Sequence, residues 1–253
     1  MESQPLSQAL RNIYQQLMAH YGPQHWWPAR ESFEVIIGAI LTQSAAWRNV
    51  EKAIANLRAA DVLSPKALRR LSISELATLI RPCGYYNAKA LKLKAFADWL
   101  EKHYQDDLNR LFARNIDPLR QQLLAIYGIG EETADSIILY AAGKPSFVID
   151  AYTRRILNRI GLYPDSNRYL SYQTFFTDNL PDDSRLFTNI TPCSSAWRRM
   201  SAASHRFVHH AASITGASPI PRLPENFHPG PYFNILGVQN RMTLTDTPPL
   251  DAD

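Results

Sequence analysis

Leu124-Ala-Ile-Tyr-Gly-Ile-Gly-Glu-Glu-Thr-Ala134, followed by Ser146-Phe-Val-Ile-Asp150, decides the fold. A helix ends at Tyr127. Gly128 and Gly130 flank one aliphatic residue, Ile129, and a new helix starts at once. Glycine permits the tight turn and a close backbone approach to another molecule. The N–H groups of Gly128, Gly130 and the new helix N-terminus, where Thr133 sits, converge outward into an anion site suited to a DNA phosphate. Ile129 plugs the angle between the helices, and is counted with Gly128, Gly130 and Thr133 among the residues expected to meet that phosphate. Taken alone, the glycines also fit an ordinary helix-turn-helix corner.

Helical periodicity runs outward from this hairpin. Residues 5–20 read as an amphipathic helix carrying Leu6, Leu10, Ile13, Leu17 and Met18. A loop with Trp26-Trp27-Pro28 follows. Residues 31–41 are too apolar for a surface helix, so that helix is central and buried. Further helices are predicted at about 45–58, after the Ser64-Pro65 cap, after Ser72, and at 86–103, 117–126, 131–142 and 150–160. Weaker helical signals continue to about 179. No stretch alternates with period two, so the fold class is all-α with short connections.

At 253 residues and 28.7 kDa the chain is one large domain or two small ones. No apolar run approaches the ~18 residues of a membrane span, and no signal-peptide pattern opens the chain, so the expected location is cytoplasmic. Cys83 and Cys193 are too few for a disulfide scaffold or a four-cysteine metal site. A net charge of +4 and a pI near 9.1 permit nucleic-acid binding without requiring it. Composition breaks at Thr188. All seven lysines precede residue 145, whereas 188–253 holds eight of 17 prolines and a single glutamate, Glu225.

These motifs together resemble the endonuclease III superfamily of DNA glycosylases, with its helix-hairpin-helix and Gly/Pro-Asp loop. The family's aspartate lies 18 positions after the second residue past the hairpin's last glycine, a pair that falls here on Glu132 and Asp150. Ile40-Leu-Thr-Gln43 and Trp47-Arg-Asn-Val-Glu-Lys-Ala53 look like its buried helix and strand-separating loop. Gly84-Tyr-Tyr-Asn-Ala-Lys-Ala90 looks like its G-[LY]-Y-x-x-K-A turn, and Arg154-Arg155-Ile156 follows Asp150 as in the family. The likeness covers roughly 5–187. It implies a two-lobed helical glycosylase fold. Residues 30–143 would form a helical barrel ending in the hairpin, and 1–29 would pack with 144–187 as a second lobe.

The resemblance also implies roles. Asp150 would stabilise positive charge developing on deoxyribose and deprotonate a water; it also suits the N-cap of the next helix. Glu132 stands where bifunctional members carry the lysine that forms a Schiff base, and a carboxylate cannot form an imine. The lyase step is therefore not expected, and Lys144 has no sequence argument as a replacement. Gln43 matches a residue that fills the gap left by a flipped base. Trp26, Trp27 and, more weakly, Trp47 suit the wall of a base pocket, since an extruded base must be stacked and shielded. Core packing is the alternative for these tryptophans. The Trp-Trp-Pro loop and the missing lysine point to the methylpurine-specific branch. Lys89, with Lys92 and Lys94, offers a phosphate-facing patch or simply a solvated face. The implied partner is damaged double-stranded DNA, bound by a monomer.

Intact relatives continue with a polar-acidic-aromatic-His-Ala-aliphatic helix and a four-cysteine [4Fe–4S] loop. This chain reads Thr188-Asn-Ile-Thr-Pro-Cys-Ser-Ser-Ala-Trp197. One extra base before the Thr188 codon allows Asn-Glu-Tyr-His-Ala-Leu-Leu-Val-Arg-Leu, the expected helix. In that frame cysteine codons are permitted at Ala202, Val208, Ala211 and Ala217, spaced within one residue of the family's cluster loop. The reading is a one-base deletion that replaces the cluster loop with a poorly ordered, out-of-frame tail, 188–253. No cofactor or metal is then expected in this chain, and His205, His209 and His210 are not a metal site. The functional expectation is a monofunctional glycosylase excising an alkylated purine. The alternatives are a non-catalytic DNA-binding hairpin protein and an inactive product of a frameshifted gene. Sequencing the coding DNA across Phe187 and Thr188 is expected to find one additional base; its absence removes the frameshift.

Overall fold

The apolar run Phe33–Leu41 forms the helix on which the first half of the chain packs. In the computed structural model, which describes residues 3–23, 27–29, 31–160 and 162–190, helix α2 (Ser32–Leu41) follows α1 (Ser3–Tyr21). Every residue of α2 after Ser32 is buried, including Glu34, whose carboxylate is met by Arg58 at 2.7 Å. Around it lie α3 (Trp47–Ala59), α4 (Pro65–Arg70), α5 (Ile73–Leu79), α6 (Tyr86–Tyr104), α7 (Leu108–Phe112) and α8 (Ile116–Leu124). The caps expected from the sequence are in place. Ser64 Oγ accepts from the Ala67 N–H, and Ser72 with Glu75 closes a reciprocal capping box.

The hairpin joins α8 to α9 (Glu131–Ser136). The sequence predicts one helix over 131–142. Instead α9 widens into a π-turn over Ile137–Ala141, closed by the Ala142 N–H donating to the Ile137 carbonyl at 3.0 Å. Such a bulge inserts one extra residue into a turn. The two hydrophobic cores meet here. Ile138 belongs to the core of α2–α9, and its neighbour Leu139 belongs to a second core. That second core takes Leu10 of α1, the extended segment Phe147–Ile149, and residues of α10 (Ala151–Ile160), α11 (Tyr169–Thr177) and α12 (Ser184–Ile190). Phe147 stacks on Phe176 at 3.9 Å and meets Phe187 edge-on.

Among the described residues there is no strand, and no helix is long and apolar enough to cross a membrane. Helical structure outlasts the sequence signal at 179. Helix α12 carries Phe187 into the core and runs on to Ile190, past the compositional break. The rest of the tail, with Cys193 and the three clustered histidines, lies outside the described residues.

One buried ionic group crosses between the cores. Asp135 on α9 is fully buried. It accepts two bonds from Arg120, at 2.9 and 3.1 Å, and one from Ser146 Oγ at 2.8 Å. Removing one partner of a buried pair strands the other charge. Asp135→Ala should therefore lower unfolding free energy by about 3–5 kcal/mol, read by urea denaturation; a loss under about 1 kcal/mol contradicts the assignment.

Candidate active site

The hairpin's geometry follows from its glycines. Gly128 has φ +82°, and a Cβ there would lie 2.2 Å from Lys92 Cγ, so a side chain is excluded both by conformation and by space. A Cβ on Gly130 would meet nothing within 4 Å, so the backbone there faces open space. No side chain caps α9. Its first N–H groups, from Glu131 to Thr133, have no partner one turn back and remain available to an anion.

Gln43, just past α2, pins the loop of residues 42–46 onto this hairpin. Its Nε2 donates to the Gly128 carbonyl at 2.9 Å and to Thr133 Oγ1 at 3.0 Å, while its Oε1 accepts from Lys92 Nζ. A cleft of about 470 Å³ opens beside them. Gln43, Lys92, the segment Gly128–Thr133, Arg154 and Tyr169 line it.

Asp150 is not part of that lining. It stands at the start of α10, where its Oδ1 accepts from the Thr153 N–H at 2.7 Å and Thr153 Oγ1 at 2.8 Å. The N-cap geometry and a catalytic position thus coincide in one residue. Burial raises its carboxyl to about 6 against the pull of the Thr153 bonds and of Arg155. Glu132, though one side of it opens to solvent, is raised further, to about 7. Burial is the main cause and the charge of Asp150 the second, with Arg154 opposing. The charge of Asp150, at the start of α10, therefore reaches Glu132 at the start of α9.

The candidate aromatics form a cluster. Trp27 lies 5.5 Å from Trp47, edge-on, and 5.1 Å from Tyr140. A Cβ on Gly38 would sit 3.0 Å from the Trp27 ring, so the glycine inside buried α2 makes room for that ring. Trp47 Nε1 donates to Glu51. Trp26 lies outside the described residues. Tyr140 was not singled out by sequence; the π-turn that brings it to Trp27 leaves no signal in helical periodicity.

Two expectations need correction. Lys89 is 2% exposed, and its Nζ donates to the Leu41 and Cys83 carbonyls at 2.9 and 2.8 Å. It ties helix ends together and does not face a phosphate. Lys94 likewise satisfies the Arg69 and Leu71 carbonyls, which leaves Lys92 as the member of that run lining the cleft. Ile129 is 5% exposed and its N–H donates to Ile126, so its side chain is a core plug and its amide is already used. Sequence reasoning also missed Arg120, Asp135 and Tyr169. A charged residue within the apolar run around Ile137 was the available sign for Asp135.

Among the described residues no group of His, Cys, Asp and Glu is arranged to hold a metal. Cys83 is buried, with its thiol directed at the Asn49 carbonyl. A [4Fe–4S] cluster needs four thiolates, and the sequence has two cysteines, so its donors do not fit that group.

Residues 37–181 match the model of a family described as HhH-GPD superfamily base excision DNA repair protein. A Methanocaldococcus jannaschii protein named as a candidate DNA repair glycosylase is 42% identical over 177 residues, 69% of this chain and 80% of that one. Endonuclease III of Sulfolobus acidocaldarius is 28% identical over 148 residues; the match takes in 58% of this chain and 64% of that protein's length. Among solved structures, Helicobacter pylori 3-methyladenine DNA glycosylase bound to 1,N6-ethenoadenine superposes with a TM-score of 0.64 at 27% identity, over 81% of this chain and 99% of that one. An endonuclease III–DNA complex shares the fold, with a TM-score of 0.62 at 21% identity over 72% and 82%.

Lys89→Met should lower stability by about 1–3 kcal/mol, the cost of leaving buried carbonyls unmet. The salt dependence of DNA binding should stay as in the parent, because no phosphate contact is lost. A shallower slope of log Kd against log salt would restore Lys89 to the DNA surface.

Proposed function

The chain belongs to the HhH-GPD superfamily of base excision DNA repair proteins; it is a DNA glycosylase, and we propose that it is a monofunctional one acting on an alkylated purine in double-stranded DNA. One observation carries this reading. A half-buried carboxylate, Asp150, lies near enough for its charge to raise a second carboxylate, Glu132, which stands at the hairpin position where an amine would serve a lyase.

The backbone at Gly128 and Gly130 and the uncapped start of α9 take a phosphate of the damaged strand. Gln43, Lys92 and Thr133 hold that surface in register. The flipped base stacks on the tryptophan wall of Trp27 and Trp47. A base made cationic by alkylation gains roughly 0.5–2 kcal/mol over an indole face, which favours this class of lesion. The 27% identity to a 3-methyladenine glycosylase supports the same choice.

Cleavage breaks the bond between deoxyribose C1′ and the base nitrogen, and the electron pair leaves with the base. Asp150 in its ionised form stabilises the positive charge left on the sugar. Water adds at C1′ and gives its proton to Asp150. Glu132 has no free electron pair on nitrogen, so no imine forms and the strand is left intact at an abasic site. The enzyme works as a monomer, its lobes at 30–143 and at 1–29 with 144–187. The segment from Thr188 onward is read as out of frame, in place of a cluster loop.

Asp150→Asn should cut single-turnover release of 3-methyladenine from methylated duplex DNA by at least about 100-fold and leave DNA affinity intact. Unchanged release removes Asp150 from the chemistry; lost affinity makes it a binding residue. The parent's rate should rise with pH through about 6, where Asp150 ionises. Stability runs the other way. A carboxyl raised on folding takes up protons more readily folded than unfolded, so its burial costs stability increasingly from about pH 4 to above 6. Asp150→Asn, which keeps a capping oxygen, should be roughly 1–3 kcal/mol more stable than the parent at pH 7.5 and equal to it near pH 4. Borohydride should trap no covalent enzyme–DNA adduct.

A further inference from the structure

The residue immediately before Asp150 is held by a side chain from another helix. The Ile149 N–H donates to Tyr169 Oη at 3.2 Å, and both are buried. The hydroxyl also lies within reach of the charge of Asp135 on α9, the residue that takes Arg120 and Ser146. Oη thus holds the backbone beside Asp150 close to the helix that carries Glu132. The Arg120 guanidinium lies 6.0 Å from the Tyr169 ring, and the ring borders the cleft. One turn along α11, Gln173 Nε2 donates to the Phe147 carbonyl at 2.9 Å. That bond secures the same extended segment further from Asp150, with no link to the hairpin.

We infer that Tyr169 is a positioning residue of the glycosylase, fixing the Asp150 carboxylate relative to the hairpin through the hydroxyl that holds Ile149 from the cleft wall. The hairpin takes the phosphate, Asp150 addresses the sugar, and the distance between them is part of the chemistry. A misplacement of 1 Å costs on the order of 100-fold in rate. The Ser146–Asp135 bond ties the segment to α9 four residues before Asp150 and leaves the near end to be held separately. A phenol that accepts from Ile149 holds that near end, and its burial excludes water as a competing partner. Tyr169 touches neither sugar nor base in this scheme. The inference rests on the glycosylase reading, and its test is built to fail separately from it.

Tyr169→Phe keeps the ring and removes the hydroxyl. The decisive readout is the Asp150 carboxyl titration, followed by carbon NMR in parent and variant. Glu132 on α9, Arg154 and Arg155 on α10, Tyr169 itself on α11 and, through it, Asp135 are the charged and titratable groups around that carboxyl. With the tether cut, the segment should loosen toward water and the midpoint should fall by at least about half a unit from its raised position. Single-turnover base release should fall by about 10–100-fold, with DNA Kd within twofold. Gln173→Leu, matched for loss of melting temperature, should change the release rate less than threefold. A shifted midpoint in Tyr169→Phe, with no base release even from the parent, upholds the positioning role and overturns the glycosylase reading. An unmoved midpoint overturns the positioning role whatever the activity. Equal rate losses in the two variants overturn it as well, since packing alone would then account for both.

Discussion

Everything at the hairpin depends on keeping one carboxylate, Asp135, charged in a place with no water. Its 0% exposure would make an unpaired charge prohibitive. Arg120 and Ser146 supply the donors, and each comes from a different part of the chain: the helix before the hairpin and the segment after it. Such a pair adds little net stability over a well-packed apolar equivalent. Its contribution here is directional. Core side chains tolerate sliding, whereas a bidentate guanidinium–carboxylate pair has one geometry. The hairpin and the approach to Asp150 are thereby held in one arrangement.

The two carboxylates proposed for the chemistry are treated in the opposite way. Asp150 is given a cap and little else to offset its burial, and Glu132 is crowded by it. Both are held above the ordinary carboxylate range. The molecule thus keeps one acid fully satisfied for architecture and two under strain at the site, which is the usual trade between stability and activity.

Much of this was legible before any coordinates. The glycine pair, Ile129 as a plug, the buried α2 and the Asp150 N-cap are local statements, each decided by residues a few positions apart. The buried lysines were not. Lys89, Lys92 and Lys94 read as a basic face because helical spacing says nothing about carbonyls from other helices. Lys89 and Lys94 in fact end on carbonyl pairs left by turns and helix termini. Asp135 and Tyr169 were missed for a related reason. Their partners lie 11 to 20 positions away, in segments whose approach depends on the π-turn. Helix α12 extended past the weak periodic signal because Phe187 and Ile190 are held by tertiary burial, not by local preference.

The π-turn at Ile137–Ala141 is, in effect, a phase shift in a rotating object. A helix advances about 100° per residue, so the one surplus residue sets the direction in which the chain leaves α9. Ile138 and Leu139, within the turn, point into different cores. Excising that residue would give a more regular helix and turn the exit by nearly a third of a revolution. Phe147 would be carried away from Phe176, and Asp150 out of line with Glu132. Spacing between Glu132 and Asp150 is therefore counted in angle as much as in length, and a chain that loses or gains a residue there loses its bearing even when every side chain of the site survives.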